Sequence, residues 1–273
     1  MELNDRVVVV TGGGSGIGEA ISRAAYGEGS SHVVVADLDG DNAARVAAAL
    51  GDRASASTID VSDEAAIVDL VDATESDHGP IGAFVSNAGF VTVAGLEDSN
   101  EAIQKMWDVH CMSHIYAARA VVPSMIANGG GYLLNTASAA GLLTQIGSMA
   151  YSITKAAAVS LGEWLAITHH HQGIRVSVLC PQAVRTNIVK NSPDNVDGDA
   201  GDFEGGVASG DGVLEPDDVA QLCIEAMRDE RFLVLPHPDV ATYAERKGIS
   251  YASWRDVGVP AATLKRAGIS RGG

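Results

Sequence analysis

Four consecutive valines, Val7-Val8-Val9-Val10, run straight into a glycine-rich stretch, Thr11-Gly12-Gly13-Gly14-Ser15-Gly16-Ile17-Gly18. An unbroken β-branched run of this kind predicts a strand that is buried on both faces of a sheet. Apolar residues at helical spacing, among them Ala20, Ile21 and Ala24, follow the glycines. The sequence therefore predicts a strand, a tight glycine turn and a helix in that order, which is the repeating unit of parallel α/β sheets.

The same alternation of apolar β-branched runs with helical periodicity recurs along the chain. Because 273 residues still fit around one hydrophobic core, we predict a single α/β domain over residues 1–273, with helices on both faces of a parallel sheet. The predicted strands are residues 7–10, 33–36, 55–59, 83–86, 132–135, 176–179 and 232–235.

Two segments depart from this rhythm. Residues 187–213 are dominated by Gly, Asp, Asn and Ser, and we expect a mobile loop that acts as a lid over a substrate site. A solvated insertion without function is the alternative. The C-terminal tail, residues 236–273, carries Tyr243, Tyr251 and Trp254, and it suits either subunit packing or closure of the core.

The charge balance disfavours two classes of partner. The chain has 18 Lys and Arg against 35 Asp and Glu, a formal net charge of -17, so it repels both nucleic acids and anionic membrane surfaces. No apolar run approaches the roughly 20 residues that a membrane-spanning helix needs, and no secretory leader is recognisable.

Three widely spaced cysteines, Cys111, Cys180 and Cys223, form no C-x-x-C pair, which argues against a disulfide framework or a structural zinc site. Reduced thiols predict a cytoplasmic protein. Three consecutive histidines, residues 169–171, point in different directions on a helix and do not converge on one ion, so no metal site is predicted.

The glycine turn has the properties of a phosphate-binding loop. Glycines let the backbone approach a pyrophosphate, and a helix N-terminus offers free N–H groups. Asp37 ends the second predicted strand about 20 residues further on, where a carboxylate can accept hydrogen bonds from adenosine ribose hydroxyls. Since neither Ser15 nor Leu38 supplies a cation for a 2′-phosphate, NAD is favoured over NADP. The alternatives are a tight glycine turn without ligand and, for Asp37, a helix cap or a turn residue.

A tyrosine and a lysine four residues apart lie at the start of a helical stretch, residues 150–167. This spacing places Tyr151 and Lys155 on one helix face, where the ammonium can stabilise a phenolate that otherwise has a pKa of about 10. Ser138 follows the predicted strand 132–135 and can orient a reacting oxygen while Tyr151 exchanges the proton. Taken alone, the tyrosine and lysine also fit a surface pair without function.

Together these motifs make residues 3–235 resemble the short-chain dehydrogenase/reductase family. The matching features are Thr11-Gly12-x-x-x-Gly16-x-Gly18, Asp60, Asn87-Ala88-Gly89, Ser138, Tyr151-x-x-x-Lys155, Pro181 and Thr186. The resemblance implies a doubly wound Rossmann fold and an NAD(H)-dependent oxidoreductase that acts on a small alcohol or ketone. It also implies Ser138 as carbonyl orienter, Tyr151 as acid/base, Lys155 on the nicotinamide ribose, and a homotetramer.

The resemblance assigns most of the cofactor contacts. Thr186 and the backbone near Val184 are expected to hold the nicotinamide carboxamide, and Asp60 and Val61 to face the adenine. The full set of expected cofactor-binding residues is Gly12, Ser15, Gly16, Ile17, Gly18, Asp37, Leu38, Asp60, Val61, Asn87, Ala88, Gly89, Tyr151, Lys155, Pro181, Val184 and Thr186.

Three residues depart from the family pattern. His110 stands where a catalytic asparagine is usual, and it either keeps a proton relay through its backbone or imidazole, weakens that relay, or only fills space. Ser86 replaces an asparagine before Asn87, and Gln182 replaces the glycine that commonly follows Pro181.

The expected substrate site is mostly apolar, which favours a hydrophobic secondary alcohol or ketone. Its predicted lining is Ala140, Leu142, Thr144, Gln182, Ala183 and Val189. Two other functions remain open: an NAD-binding regulatory protein without turnover, which the intact Ser138, Tyr151 and Lys155 disfavour, and an NAD-dependent epimerase or dehydratase, which the glycine spacing and short tail disfavour.

Overall fold

Seven parallel strands form one sheet in a computed structural model that describes residues 1–186, 188 and 211–249. The strand order is β3-β2-β1-β4-β5-β6-β7. The strands are β1 (Val7–Thr11), β2 (His32–Asp37), β3 (Ala54–Thr58), β4 (Ile81–Ser86), β5 (Gly131–Thr136), β6 (Ile174–Leu179) and β7 (Leu233–Val234).

Helices occupy the intervals between the strands. They are α1 (Gly16–Gly27), α2 (Gly40–Leu50), α3 (Glu64–His78), α4 (Asn100–Trp107), α5 (Ser113–Ala127), α6 (Ala139–Leu143), α7 (Met149–His169), α8 (Pro216–Asp229) and α9 (Asp239–Ile249). A π-helical turn, Asp108–Met112, joins α4 to α5. A 3-10 turn, His170–Gln172, follows α7.

The four valines of β1 explain why the sheet is covered on both sides. Val8 and Val10 pack in a core cluster with residues of α1 and α8, whereas Val7 and Val9 pack in a second cluster with residues of α3 and α5. Successive side chains of a strand point to opposite faces, so an unbroken apolar run suits a strand between two helical layers.

The strand order reverses at the contact between β1 and β4. From β1 the chain builds outward through β2 and β3, and it then returns to place β4 on the other side of β1. Loops that leave the carboxyl ends of β1 and β4 therefore diverge and open a crevice, which is where ligands bind in sheets of this type.

The predicted doubly wound parallel sheet is confirmed, and each predicted strand is found with its ends displaced by two residues or fewer. Most of the predicted lid, residues 187 and 189–210, lies outside the described residues. So do residues 250–273 of the tail, with Tyr251 and Trp254. The described part of the tail contains α9. No helix in the described ranges has the length and apolar character that crossing a bilayer would require.

Helix α7 packs closely against β6 at Gly162. A Cβ added to Gly162 would lie 2.3 Å from Cγ2 of the buried Val178. Overpacking of this kind costs about 1–3 kcal/mol, which exceeds the gain of up to about 1 kcal/mol that alanine has over glycine in a helix. We expect Gly162→Ala to lower the free energy of unfolding measured by urea denaturation. In the matched control, Gly27→Ala in α1, the added methyl meets no atom within 4 Å, and stability should stay equal or rise.

Candidate active site

The hydroxyl of Thr11 ties together the ends of β1 and β4. Its Oγ1 donates to the carbonyl of Val85 at 3.2 Å and accepts from the backbone amides of Asn87 at 3.0 Å and Ala88 at 3.3 Å. The Asn87 side chain donates to the Thr11 carbonyl at 3.2 Å and accepts from Thr136 Oγ1 at 3.2 Å. The carboxyl ends of β1, β4 and β5 are therefore held at one fixed edge of the sheet.

The glycine loop leaves no room for larger side chains. A Cβ on Gly18 would lie 2.0 Å from the carbonyl oxygen of Gly12, which itself has a φ of +62°. Gly16 also has a positive φ and lies against the methyl group of Thr186. Ser15 precedes α1 without a side-chain capping bond. The loop is shaped for close approach of a phosphate to the helix N-terminus, so the residues present fit a dinucleotide.

Asp37 holds this loop from the end of β2. Its carboxylate accepts from the Gly14 amide at 2.8 Å and from the Asp39 amide at 3.0 Å. The residue that caps α2 is Asp39, whose side chain accepts from the Asn42 amide. Asp37 is therefore not the cap of α2. Its bond from the Asp39 amide is that of a turn residue, and its other carboxylate oxygen holds the Gly14 amide at the loop edge.

A cation that the sequence reasoning missed lies beside the same loop. Arg45 Nη2 donates to the Gly14 carbonyl at 2.9 Å and pairs with the Glu19 carboxylate at 2.8 Å. As expected, neither Ser15 nor Leu38 supplies a cation for a 2′-phosphate, but Arg45 of α2 places a guanidinium beside the loop. Since Glu19 already pairs with it, this guanidinium is partly neutralised.

The predicted adenine side combines a hydrogen-bonded turn, a buried valine and an exposed leucine. Asp60 Oδ1 accepts from the amide of Ser62 at 2.9 Å and from its hydroxyl at 2.7 Å, which fixes the turn after β3. Val61 is buried in the core cluster that contains Val9, whereas Leu38 is 70% exposed. Ile17 packs against the opposite core cluster and anchors the start of α1.

Ser138, Tyr151 and Lys155 come together at the end of β5. Ser138 begins α6, where its Oγ accepts from the Ala140 amide at 3.1 Å and donates to the Pro181 carbonyl at 3.4 Å. Lys155 Nζ donates to the Thr136 carbonyl at 3.0 Å and lies 5.6 Å from the centroid of the Tyr151 ring. The two residues face the same space because they are one turn apart on α7.

Burial acts on the two titratable groups in opposite directions. It raises the pKa of Tyr151, and hydrogen bonding with Ser138 works against that rise. It lowers the pKa of Lys155 to about 8, against a smaller opposing effect of Cys180. A buried phenol and a buried amine both favour their neutral forms, so their charges depend on the polar groups around them.

His110 lies in the π-helical turn with both ring nitrogens paired. Nε2 accepts from the Phe90 amide at 3.1 Å, and since that amide can only donate, Nδ1 carries the proton and donates to Thr154 Oγ1 at 3.1 Å. The Thr154 hydroxyl in turn donates to the Tyr151 carbonyl. Burial, followed by the nearby charge of Lys155, holds the pKa of His110 well below its usual value. This arrangement favours a positioning role over proton transfer through the ring.

Gly89 shows how closely these groups meet. A Cβ at Gly89 would lie 3.1 Å from His110 Nε2 and 3.5 Å from Lys155 Nζ. A side chain at position 89 would therefore press on the His110 ring, and the histidine and the lysine both face this position.

The predicted substrate residues that the structure describes lie on two segments, one after β5 and one after β6. Ala140 packs with Tyr151 and Phe90 in an apolar cluster. The Leu142 carbonyl accepts from Lys247 of α9 at 2.7 Å, and Thr144 ends α6 with a φ of +72°. Gln182 and Ala183 follow β6, whereas Val189 lies outside the described residues.

Gln182 is directed into a polar network and not toward the apolar cluster. Its Nε2 donates to Asp211 Oδ2 at 2.9 Å, and Tyr243 of α9 donates to Oδ1 of the same carboxylate at 3.0 Å. The Gln182 amide donates to His237 Nδ1 at 3.2 Å. These bonds fix α9 beside the predicted substrate site.

The predicted carboxamide segment crosses the mouth of the crevice. Pro181 follows β6, Val184 forms a β-bridge with Leu214, and the Thr186 methyl contacts Gly16 of the glycine loop. The segment therefore spans from the serine, tyrosine and lysine to the phosphate loop, as a dinucleotide lying across the sheet edge requires.

His114 is a buried polar residue that the sequence reasoning did not single out. It is 2% exposed, and neither ring nitrogen has a hydrogen-bond partner among the described residues. Burial, assisted by the charge of Lys155, lowers its pKa to about 3. Its position four residues after His110 was the available signal. No group of three or more metal-ligating side chains converges within the described residues.

Comparisons with known proteins agree with this geometry. The family model described as short chain dehydrogenase matches residues 6–197. A 1-deoxy-11-beta-hydroxypentalenate dehydrogenase of Streptomyces exfoliatus is 34% identical over 88% of this chain and 86% of its own length. A meso-2,3-butanediol dehydrogenase of Serratia marcescens is 34% identical over 72% of this chain and 78% of its own length.

Solved structures show the same fold. A short chain dehydrogenase/reductase from Burkholderia phymatum in complex with NAD superposes with a TM-score of 0.82 and 28% identity, covering 95% of this chain and 98% of that one. A 3-ketoacyl-(acyl-carrier-protein) reductase from Brucella melitensis complexed with NADH superposes with a TM-score of 0.75 and 26% identity, over 85% of this chain and 96% of that one.

Acid should destabilise the fold through His114. Its pKa is about 3 in the folded chain against about 6.5 in the unfolded chain, so stability is lost progressively as the pH falls from about 6.5 toward 3. At pH 5 the loss amounts to about 2 kcal/mol, at about 1.4 kcal/mol per pH unit. His114→Leu should reduce the difference in unfolding free energy between pH 7 and pH 5 by that amount. The exposed His171→Leu is the control, and an unchanged difference in His114→Leu would contradict the prediction.

Proposed function

The chain belongs to the short-chain dehydrogenase family, and we propose that it transfers a hydride between NAD(H) and a small, hydrophobic secondary alcohol or ketone. The observation that carries the proposal is the grouping of Ser138, Tyr151 and Lys155 at the carboxyl edge of β5, with the glycine loop of β1 on the same edge.

We assign each of the three residues a role in this reaction. The Ser138 hydroxyl, fixed by the Ala140 amide, hydrogen-bonds the reacting oxygen and Tyr151. Tyr151, as phenolate, takes the hydroxyl proton in oxidation and returns it in reduction. The Lys155 ammonium, 5.6 Å from the ring centroid, favours the phenolate by its charge. NAD+, when bound, accepts the hydride from the substrate carbon, and NADH returns it.

His110 serves this site by holding its parts in place. Its ring links the Phe90 amide, in the loop after β4, to the Thr154 hydroxyl of α7. Thr154 lies between Tyr151 and Lys155 in the sequence, so the imidazole fixes the helix turn that carries both. Where the family pattern has an asparagine, this histidine takes a positioning role through two hydrogen bonds.

The cofactor assignment rests on Asp37 and the loop that it holds. Its carboxylate lies at the end of β2, where it can accept from the ribose hydroxyls and would repel a 2′-phosphate. Arg45 does not reverse this preference because Glu19 pairs with its guanidinium. The relative from Burkholderia phymatum binds NAD in its structure, which supports the assignment.

The apolar cluster around Tyr151 supports the proposed substrate class. Ala140, Phe90 and Met106 pack beside the phenol and offer no charged partner to a substrate. The relatives named for a hydroxypentalenate and for a butanediol both act on alcohols by name, which is consistent with this class. We propose that residues 187–213 cover the bound substrate as a lid.

The proposal extends to the oligomeric state of the protein and to its location in the cell. The outer face of α7 exposes large apolar side chains: Ile153 is 54%, Trp164 57% and Ile167 82% exposed. Apolar side chains grouped on one helix favour contact between subunits, and we propose a homotetramer. The three free cysteines are all buried, which fits a reduced cytoplasmic protein.

Replacing Tyr151 by phenylalanine tests the reaction. Since general acid-base catalysis contributes about 10²–10⁴-fold, Tyr151→Phe should reduce NADH production from secondary alcohols by at least that factor while NADH affinity changes little. Tyr116→Phe on α5 is the matched control and should stay active. Full activity in Tyr151→Phe would refute the role. If the wild type binds NAD but oxidises no alcohol, it is a regulatory protein. If it converts a nucleotide sugar, it is an epimerase or dehydratase.

Replacing Asp37 by asparagine tests the cofactor. A hydrogen bond to a charged group contributes about 1.5–3 kcal/mol, so Asp37→Asn should weaken NAD+ binding about tenfold or more in calorimetric titrations and narrow the preference over NADP+. The nearby exposed Asp41→Asn should bind NAD+ as the wild type does. A wild-type protein that binds NADPH more tightly than NADH would overturn the assignment.

A further inference from the structure

Buried polar atoms without partners lie behind Lys155, on the sheet face that α5 and α7 cover. His114 and Asn135 are each 2% exposed. Both ring nitrogens of His114 and the Nδ2 of Asn135 lack a hydrogen-bond partner among the described residues. An unpaired buried polar atom costs about 1–3 kcal/mol, so three of them on one face call for a partner that is not a protein group.

The two side chains share the layer between α5 and the sheet. His114 lies on the same strip of α5 as Ala118 and Val121, which pack in the core cluster that contains Leu133 of β5. Asn135 is two residues beyond Leu133 and therefore projects to the same face. Ser86, the in-register neighbour of Asn135 on β4, lies on this face as well and adds a hydroxyl.

Lys155 borders this layer from α7. Its Nζ donates to the carbonyl of Thr136, the residue after Asn135. A Cβ on Gly162 of α7 would lie 3.9 Å from Asn135 Nδ2, which places the amide under the helix that carries Lys155. The charge of Lys155 lowers the pKa of His114, so the two groups interact electrostatically.

We propose that His114, Asn135 and Lys155 line a buried water site, and that His114 is a positioning residue that keeps the Lys155 ammonium solvated and therefore charged. Water can pair with these atoms: one molecule accepts from Lys155 Nζ and Asn135 Nδ2 and donates to the unprotonated ring nitrogen of His114, and a second accepts from the ring N–H of His114. The water site stands on the orphaned atoms alone, whereas its consequence for catalysis rests on the proposed function.

The consequence concerns the charge of Lys155. Burial brings its pKa down to about 8, close to the pH of a working enzyme, so a modest further loss of solvation would leave it partly neutral. The titratable groups around Lys155 are His110, His114, Tyr151 and Cys180. His110 has both nitrogens engaged by protein partners, which leaves His114 as the ring that can hold water.

The test measures the titration of Lys155 in the full chain without added cofactor. The side-chain NMR signal of isotope-labelled lysine is assigned by its loss in Lys155→Met. His114→Leu should lower the pKa of Lys155 by about one unit, as expected when a buried cation loses a polar neighbour. His114→Gln keeps a donor and an acceptor, so the pKa of Lys155 in this variant should lie close to the wild-type value. Met125→Leu, a volume-conserving change in the core of the same helix, should leave it unchanged.

Two results would overturn the proposal. One is an unaltered Lys155 titration in folded His114→Leu, and the other is a high-resolution crystal structure without water density between His114 and Asn135. The second result applies to the wild type, so it decides the matter even where His114→Leu fails to fold.

Activity measurements separate this proposal from the proposed function. If the wild type oxidises secondary alcohols, the falling limb of kcat against pH should move to lower pH in His114→Leu with little change in KM. A Lys155 shift in a protein that oxidises no alcohol would refute the proposed function and leave the water site standing. Normal activity with no shift would refute the water site alone.

Discussion

One hydroxyl group, Thr11 Oγ1, fixes the place where the strand order reverses. It donates to β4 and accepts from the two amides that follow β4, so the loops that diverge there start from a shared set of hydrogen bonds. Asn87 extends this set to β5 through Thr136. The glycine loop follows directly from Thr11, and Ser138 follows two residues after Thr136. The glycine loop and the segment that carries Ser138 therefore both depend on this one junction.

The fold was readable from the sequence because its elements are strongly periodic. The valines of β1 indicated a strand between two layers, and the two core clusters divide those valines between opposite faces. The positions of Ser138, Tyr151 and Lys155 were readable for a similar reason, since a strand end and an i, i+4 pair on a helix fix where side chains meet.

Contacts between distant segments were not readable in the same way. Arg45 reaches the glycine loop from α2 because β2 and β1 are neighbours in the sheet, and only the tertiary structure brings Gly14 within 2.9 Å of it. Asp37 and Asp39 both precede α2 and both fit a cap by sequence, but the hydrogen bonds assign the cap to Asp39. His110 likewise pairs with Phe90 and Thr154, which lie in separate segments of the chain.

The chemistry of the site depends on how burial is balanced by polar neighbours. Exclusion of water strengthens interactions among fixed charges and dipoles, but it also drives Tyr151 and Lys155 toward their neutral forms. Ser138 acts on the phenol and the Thr136 carbonyl on the amine, so each buried group has one close partner. A lysine has three donors to satisfy, and one carbonyl engages only one of them. The neutral imidazoles beside it supply polarity without competing positive charge, because burial keeps them unprotonated.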